Sequence, residues 1–191
     1  MLRGFIITAA ALLLVILVAA WFAYRFAFYV SPKQKEKSAA LPTGEQYEQK
    51  YPGMTQLIRK MVADPYEEVW ITARDGTRLM GRYYRVQDGA PLQIQFHGYR
   101  SNAYRDFCGG HMLTKEMGYN SLVVDQRSHG RSEGTTICFG IRERWDCLDW
   151  ANYAWKRFGS ETPIFLAGVS SSGIVPPSLL IVFLTSCPTS Y

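Results

Sequence analysis

The sequence predicts an α/β domain that begins with an antiparallel hairpin, continues as a parallel sheet with flanking helices, and follows one transmembrane helix. Three apolar strands alternate with helical segments, which is the pattern of βαβ units with right-handed crossovers. Their near-continuous apolar runs are typical of strands covered on both faces. The N-terminal residues 4–24 contain no charged side chain.

Residues 1–25 are predicted to form a transmembrane signal anchor. The uncharged stretch, at about 1.5 Å per residue, is long enough to cross a hydrocarbon core of roughly 30 Å. Trp21 and Tyr24 lie near one end, where aromatic rings suit the membrane interface. The alternative is a cleaved signal peptide, whose apolar region is usually about 7–15 residues long. Ala19 and Ala20 would suit such cleavage, but the large Trp21 follows them.

The net charge of +5 is concentrated beside this segment: residues 1–40 carry +4 and the rest of the chain +1. A juxtamembrane basic cluster favours anionic lipid head groups and gives no reason to expect nucleic-acid binding. We expect residues 4–24 to contact the lipid bilayer. The domain is expected on the extracytoplasmic side of the cell membrane, because a domain that stays in the cytoplasm needs no N-terminal span. Lys33, Lys35 and Lys37 favour the opposite orientation.

The four cysteines, at positions 108, 138, 147 and 187, are too few and too scattered for a disulfide framework. They form no Cys-x-x-Cys pair that would suggest zinc. We expect buried thiols, although Cys138 and Cys147 could form a bridge in an exported domain. The sequence predicts no metal site and no cofactor.

Residues 26–65 are predicted to be a polar juxtamembrane connector with short helices at 45–50 and 54–63. Strands are expected at 67–73 and 78–86, where β-branched and aromatic residues alternate. Asp75-Gly76 between them is a strong hairpin signal, because glycine tolerates positive φ.

The alternating part of the domain follows. Strands are predicted at 92–97, 121–125 and 164–169, with helices at 104–117 and 142–158. The second helix is predicted from a spacing of three or four residues between Trp145, Leu148, Asn152, Trp155 and Phe158. The loops that follow the three strands share one edge of the sheet, where ligands bind in open α/β sheets.

The loop after the first parallel strand begins His97-Gly98-Tyr99. Gly98 permits a tight backbone path, so the amide of Tyr99 can point at a developing oxyanion. The alternative is an ordinary turn between a strand and a helix.

The loop after the third parallel strand begins in Gly168-Val169-Ser170-Ser171-Ser172. An apolar strand, a tight turn and a helix start would lift Ser170 as a nucleophile, as in the Gly-x-Ser-x-Gly elbow. Here Ser172 replaces the second glycine, and Gly173 comes one place later.

The loop after the second parallel strand is Asp125-Gln126-Arg127-Ser128-His129-Gly130-Arg131-Ser132. With the other two loops in this order, residues 66–173 resemble the N-terminal half of an α/β-hydrolase. They look like the corresponding part of a membrane-anchored bacterial hydrolase of the esterase/lipase-like or serine-aminopeptidase-like kind.

The resemblance implies a serine hydrolase that cleaves an ester, thioester or amide of a small-molecule acyl substrate through an acyl-serine on Ser170. It places His97 and Gly98 in an active-site loop and assigns the oxyanion hole to the amides of Tyr99 and Ser171. The resemblance makes Asp125, Arg127, Gly130 and Ser132 a structural turn. His129 is not expected to be the base, because the triad acid and histidine follow the serine in this fold.

Residues 174–191 are expected to be an aberrant hydrophobic tail. Pro176-Pro177 would interrupt the helix that should follow the serine. The apolar run 179–184 is expected to find no partner strand. The sequence therefore suggests a C-terminally truncated member that lacks the triad Asp and His. A catalytically inactive, membrane-tethered binding domain and a non-functional fragment are the alternatives. The substrate and the oligomeric state stay open.

Overall fold

The computed structural model describes residues 2–40, 45, 49, 51–170 and 178–184. The helices with described bounds are α1 (Leu2–Ala27), α2 (Pro32–Ala39), α3 (Pro52–Ala63), α4 (Ala103–Glu116) and α5 (Glu143–Phe158). The strands are β1 (Glu67–Thr72), β2 (Arg78–Tyr84), β3 (Leu92–Phe96), β4 (Asn120–Val124), β5 (Ile164–Ser170) and β6 (Ser178–Leu184).

Two connector segments differ from the sequence-based prediction. Helix α2 was not predicted, although Ser31 caps it through the amide of Gln34 and Pro32 occupies its first turn. Most of the helix predicted at 45–50 lies outside the described residues. Helix α3 matches the helix predicted at 54–63 and buries Ile58 and Met61.

The strands form one mixed sheet in the order β1-β2-β4-β3-β5-β6. Strands β3, β4 and β5 are parallel, whereas β1 and β2 form the predicted antiparallel hairpin, in which Gly76 has φ +85°. Phe96 pairs with Val124 on one side and with Gly168 on the other. The parallel strands therefore end level with one another, at what we call the carboxyl edge of the sheet.

Strand β6 corrects the expectation that the last apolar run has no partner. It pairs antiparallel with β5, from Ile164 opposite Leu184 to Ser170 opposite Ser178. An apolar strand at the edge of a sheet presents unpaired backbone groups, and a neighbouring strand satisfies them. Residues 171–177, which include Ser171 and the rest of the predicted elbow, lie outside the described residues.

Helices cover both faces of the sheet. On one face α5 packs Trp150 and Ala154 against Leu122 and Ile164. On the other face α3 and α4 pack against β4 and β5. Of the side chains at the predicted helical spacing, Trp155 and Phe158 are partly buried against this core, whereas Trp145 is 38% exposed. The most buried large side chain of α5 is Trp150, which is 1% exposed and was not among them. Neighbouring alanines on α5 and Gly81 on β2 let the large Trp150 ring approach the sheet closely.

Helix α1 is the one described helix long and apolar enough to cross a membrane, and none of its side chains is buried. Its 26 residues correspond to about 39 Å of helix. This length and composition fit the predicted span and fit a signal sequence equally well.

A buried ion pair joins the hairpin to the loop after β4. Nη1 and Nη2 of Arg82 donate to the two carboxylate oxygens of Asp125 at 2.9 and 3.2 Å, and both side chains are 5% exposed. The amide of Arg131 donates to the same carboxylate at 3.0 Å. The Ser132 hydroxyl donates to the Asp125 carbonyl and accepts the Met80 amide. These bonds fold residues 125–132 back onto β2.

The ion pair between Arg82 and Asp125 leaves no room for a side chain at Gly130. Its φ is +49°, and a Cβ built there would lie 2.3 Å from Asp125 Oδ2. Such a contact would force the buried carboxylate away from Arg82. Breaking a buried ion pair usually costs about 3–5 kcal/mol.

We predict that Gly130→Ala lowers the free energy of unfolding by about 3 kcal/mol or more. Gly118→Ala is the matched control, because Gly118 also has positive φ but a Cβ added there would meet no atom within 4 Å. It should cost only about 1 kcal/mol of backbone strain. Urea unfolding of the full chain in mild detergent measures both, and equal losses would contradict the role given to Asp125.

Candidate active site

The carboxyl edge brings together two of the three predicted loops and the end of the third strand. The loop 97–102 follows β3, the loop 125–132 follows β4, and Ser170 is the last residue of β5. Because Phe96 pairs with Gly168, the backbone of Ser170 lies at the level where the 97–102 loop begins. The predicted oxyanion donor Ser171 lies outside the described residues.

His97 links the two loops through both ring nitrogens. Its Nδ1 donates to the Gly98 carbonyl at 3.0 Å, and its Nε2 accepts the Gln126 amide at 3.1 Å. The side-chain amide of Gln126 also donates to the His97 carbonyl. The ring is 1% exposed, and burial lowers its pKa. His97 is therefore a neutral linker whose lone pair is already occupied.

His129 packs edge-on against His97, with ring centroids 4.8 Å apart. Its Nδ1 donates to the Arg127 carbonyl at 3.0 Å, and its Nε2 has no partner among the described residues. Burial and, secondarily, the nearby His97 lower the pKa of His129 to about 4. The ring is thus neutral near pH 7, and His129 lines a cavity of about 340 Å³ together with Arg100 and Arg105.

Asp106 holds the 97–102 loop and was missed by the sequence analysis. Its carboxylate accepts the Gly98 amide at 2.8 Å and the Ser101 hydroxyl at 2.5 Å. Asp106 lies in the first turn of α4, where a carboxylate is also favoured by the helix dipole. Asp106 could have been identified from the sequence, because an acidic residue in the first turn of a predicted helix can accept backbone amides of the glycine-containing loop before it.

The backbone of the 97–102 loop turns sharply. The amide of Ser101 donates to the Gly98 carbonyl at 3.1 Å, and Arg100 has φ +51°. The Tyr99 side chain leaves the sheet and donates its hydroxyl to the Ala27 carbonyl at 2.7 Å. The loop is therefore tied to the last turn of α1 as well as to α4.

Arg127 fixes the second loop from the other side. Its guanidinium donates to both carboxylate oxygens of Asp146 at 2.6 Å and to Asp75 at 2.9 Å. One side chain thus joins the β4 loop to α5 and to the turn of the hairpin. Arg127, Asp125, Gly130 and Ser132 all act on the backbone of this loop in the described structure, and none of them projects as an unpaired acid or base.

The third histidine lies at the opposite edge of the sheet. His111 Nε2 is 3.0 Å from Asp64 Oδ2, and its Nδ1 is 3.3 Å from the hydroxyl of Ser121, near the start of β4. His111 therefore lies away from the carboxyl edge, where β5 ends at Ser170. The described part of the chain contains no group of three His, Cys, Asp or Glu residues that could hold a metal ion.

Comparison with known proteins supports the fold. No family profile matches the chain, and no curated protein sequence matches it. Solved structures do match. One is the esterase Pf2001 of Pyrococcus furiosus, with 25% sequence identity and a TM-score of 0.53 over 58% of this chain. Another is DcsB in complex with its substrate analogue, with 22% identity and a TM-score of 0.51 over 56% of this chain.

The matches cover 44% of the Pf2001 chain and 37% of the DcsB chain, so this sequence spans less than half of either structure. Three observations indicate the same superfamily: the order of the motifs along the chain, the mixed sheet, and the likeness to these solved structures. The chain belongs to the α/β-hydrolase superfamily.

Proposed function

We propose that this chain carries the nucleophile half of a serine hydrolase that cleaves an ester, thioester or amide through an acyl-serine on Ser170. The observation that carries the proposal is the level register of β3 and β5, which sets Ser170 beside the loop that begins at His97. The likeness to a structure described as an esterase, at 25% identity, supports hydrolysis as the reaction class.

In this proposal, Ser170 Oγ attacks the acyl carbonyl carbon and its proton passes to a base. The carbonyl electrons move onto the oxygen, which the amides of Tyr99 and Ser171 stabilise by donating hydrogen bonds. The bond to the leaving group breaks as that group takes up the proton. Water then attacks the acyl-serine, which releases the acid and restores the hydroxyl.

The base and the acid of a triad follow the serine in this fold, so the proposal places both after Ser170. Ser172 stands where the elbow pattern has its second glycine. This departure favours a second candidate function, in which the chain is a membrane-tethered hydrolase-like domain that binds an acyl ligand without turning it over. The two functions differ in whether Ser170 reacts.

We further propose that α1 anchors the domain in the cell membrane, with the hydrolase domain on the extracytoplasmic side. The 26 residues of α1 are predominantly apolar, and none of their side chains is buried. Basic residues follow the helix closely, at Lys33, Lys35 and Lys37. Such a cluster adds attraction to anionic head groups.

We predict that a fluorophosphonate probe labels the purified full chain at Ser170. Ser170→Ala should abolish labelling, whereas Ser160→Ala, at an exposed serine before β5, should retain it. In-gel fluorescence and mass spectrometry of the labelled peptide measure the outcome. Undiminished labelling of Ser170→Ala would contradict the nucleophile, and absence of all labelling would favour the binding domain.

We predict that the expressed chain stays in the membrane pellet after carbonate extraction. Leu13→Arg combined with Ile16→Arg should release it, because each arginine near a helix centre costs about 2.5–3.5 kcal/mol of insertion free energy. Leu113→Arg, on an exposed position of α4, is the control and should stay in the pellet. A shortened chain in the supernatant, cleaved near residue 20, would instead show a signal peptide.

A further inference from the structure

The end of α1 is bound to the carboxyl edge of the sheet. The last carbonyls of a helix have no partner within the helix. Here the carbonyl of Ala27 accepts the Tyr99 hydroxyl at 2.7 Å, and that of Phe26 accepts Nη2 of Arg100 at 2.5 Å. Both donors belong to the loop that contains the proposed oxyanion amide.

The chain after α1 is also held at this edge by its backbone. The amide of Val30 donates to the Thr135 carbonyl at 2.8 Å, and the amide of Ile137 donates to the Phe28 carbonyl at 2.8 Å. Residues 28–30 and 135–137 therefore form a short antiparallel connection. The loop that precedes α5 is joined to the end of α1 by the same bonds.

An apolar surface lies beside the end of α1. It is formed by Phe28, which follows α1, and by Phe139 and Ile141 of the loop that precedes α5, and we call it the Phe139 patch. Phe139 is 57% exposed and Ile141 is 68% exposed. The Phe139 ring lies 5.2 Å from the Phe28 ring and stacks 4.9 Å from the Tyr99 ring. The patch is thus continuous with the last turn of α1 and with the 97–102 loop.

Hydrogen bonds to the residues on either side of Phe139 fix its backbone in a conformation that leaves the ring exposed. Phe139 has φ +47°, a conformation that a bulky residue rarely adopts. The Glu143 carboxylate accepts the Cys138 amide at 2.7 Å and the Gly140 amide at 2.8 Å, on either side of Phe139. The fold therefore maintains an unfavourable backbone conformation and leaves the ring exposed. Such strain persists where the surrounding structure enforces it, often at binding sites.

We propose that the Phe139 patch lies in the membrane interface, so that the carboxyl edge faces the bilayer and the acyl substrate reaches Ser170 from the lipid phase. The inference rests on the proposed membrane anchor and on the proposed acyl transfer to Ser170. It names the substrate class as an amphiphile with an acyl chain long enough to reside in the membrane.

Geometry selects the bilayer as the occupant of the patch. If α1 spans the hydrocarbon core, its last turn lies at the interface. The Phe139 and Tyr99 rings lie against the chain that leaves this turn, so they must lie at the same depth. Aromatic side chains are favoured at that depth. The basic residues Arg25, Lys33 and Lys37 are exposed along the same stretch of chain and favour anionic head groups.

The test is photo-crosslinking of the full chain in vesicles of phosphatidylcholine and phosphatidylglycerol. p-Benzoylphenylalanine replaces Phe139 in one sample and Leu113 in the other. Leu113 is a matched control because it is also 57% exposed but lies near the end of α4, towards the opposite edge of the sheet. We expect lipid adducts, identified by mass spectrometry, at position 139 and at least tenfold fewer at position 113.

Equal lipid adducts at the two positions, adducts at neither, or crosslinks from position 139 to a second copy of the chain would each overturn the inference. The entry route is tested by the rate of labelling with hexadecyl and ethyl fluorophosphonates. In Phe139→Asp the ratio of the hexadecyl rate to the ethyl rate should fall about tenfold. An unchanged ratio would overturn entry from the lipid phase.

These outcomes separate the inference from the proposed function. Lipid adducts at position 139 without any fluorophosphonate labelling would contradict the nucleophile and support the membrane-facing edge. Labelling at Ser170 without lipid adducts at position 139 would support the nucleophile and overturn the membrane-facing edge.

Discussion

The buried ion pair between Arg82 and Asp125 is the interaction on which the described edge of the sheet depends. Both side chains are almost completely removed from water, so each needs the other to offset the loss of hydration. The pair joins the middle of β2 to the first residue after β4. It can form only if the loop folds tightly over Asp125, which is why the chain has glycine at position 130.

Further hydrogen bonds connect this ion pair to the neighbouring loops. Gln126, the residue after Asp125, donates its amide to His97 and so aligns the β4 loop with the β3 loop. Asp106 then fixes the 97–102 loop to the start of α4. The carboxyl edge is therefore positioned by hydrogen bonds and an ion pair between buried and half-buried polar groups rather than by apolar contact alone. Such groups favour one arrangement of the loops, because each alternative leaves a charge or an amide without a partner.

Much of the fold follows from local patterns in the sequence. The strands β1 to β5 and the helices α3 to α5 were predicted within about two residues, since apolar runs, turn glycines and helical spacing all agreed. On α5 the predicted spacing included Trp155 and Phe158, which pack against the core, but not the buried Trp150. The ring of Trp150 fits against Gly81, a contact between distant parts of the chain that no local pattern indicates. The pairing of β6 with β5 was also missed, since pairing depends on an edge that only the assembled sheet presents.

The candidate site was predictable by residue type and order, but not by contact. The motifs at His97, Asp125 and Ser170 indicated the superfamily. They did not show that both nitrogens of His97 are engaged, or that Tyr99 and Arg100 bind the last turn of α1. That last contact changes the interpretation of the N-terminal segment. A helix predicted only as an anchor is also a structural neighbour of the proposed oxyanion loop.

The central claim is that Ser170 is a nucleophile set against the 97–102 loop. A crystal structure of the full chain after reaction with diethyl 4-nitrophenyl phosphate, which loses 4-nitrophenolate as phosphorus bonds to the nucleophile, tests it most directly. We predict phosphorus bonded to Ser170 Oγ, with the phosphoryl oxygen within hydrogen-bonding distance of the Tyr99 amide. Phosphorus on another side chain, or a phosphoryl oxygen directed away from the 97–102 loop, would contradict the claim.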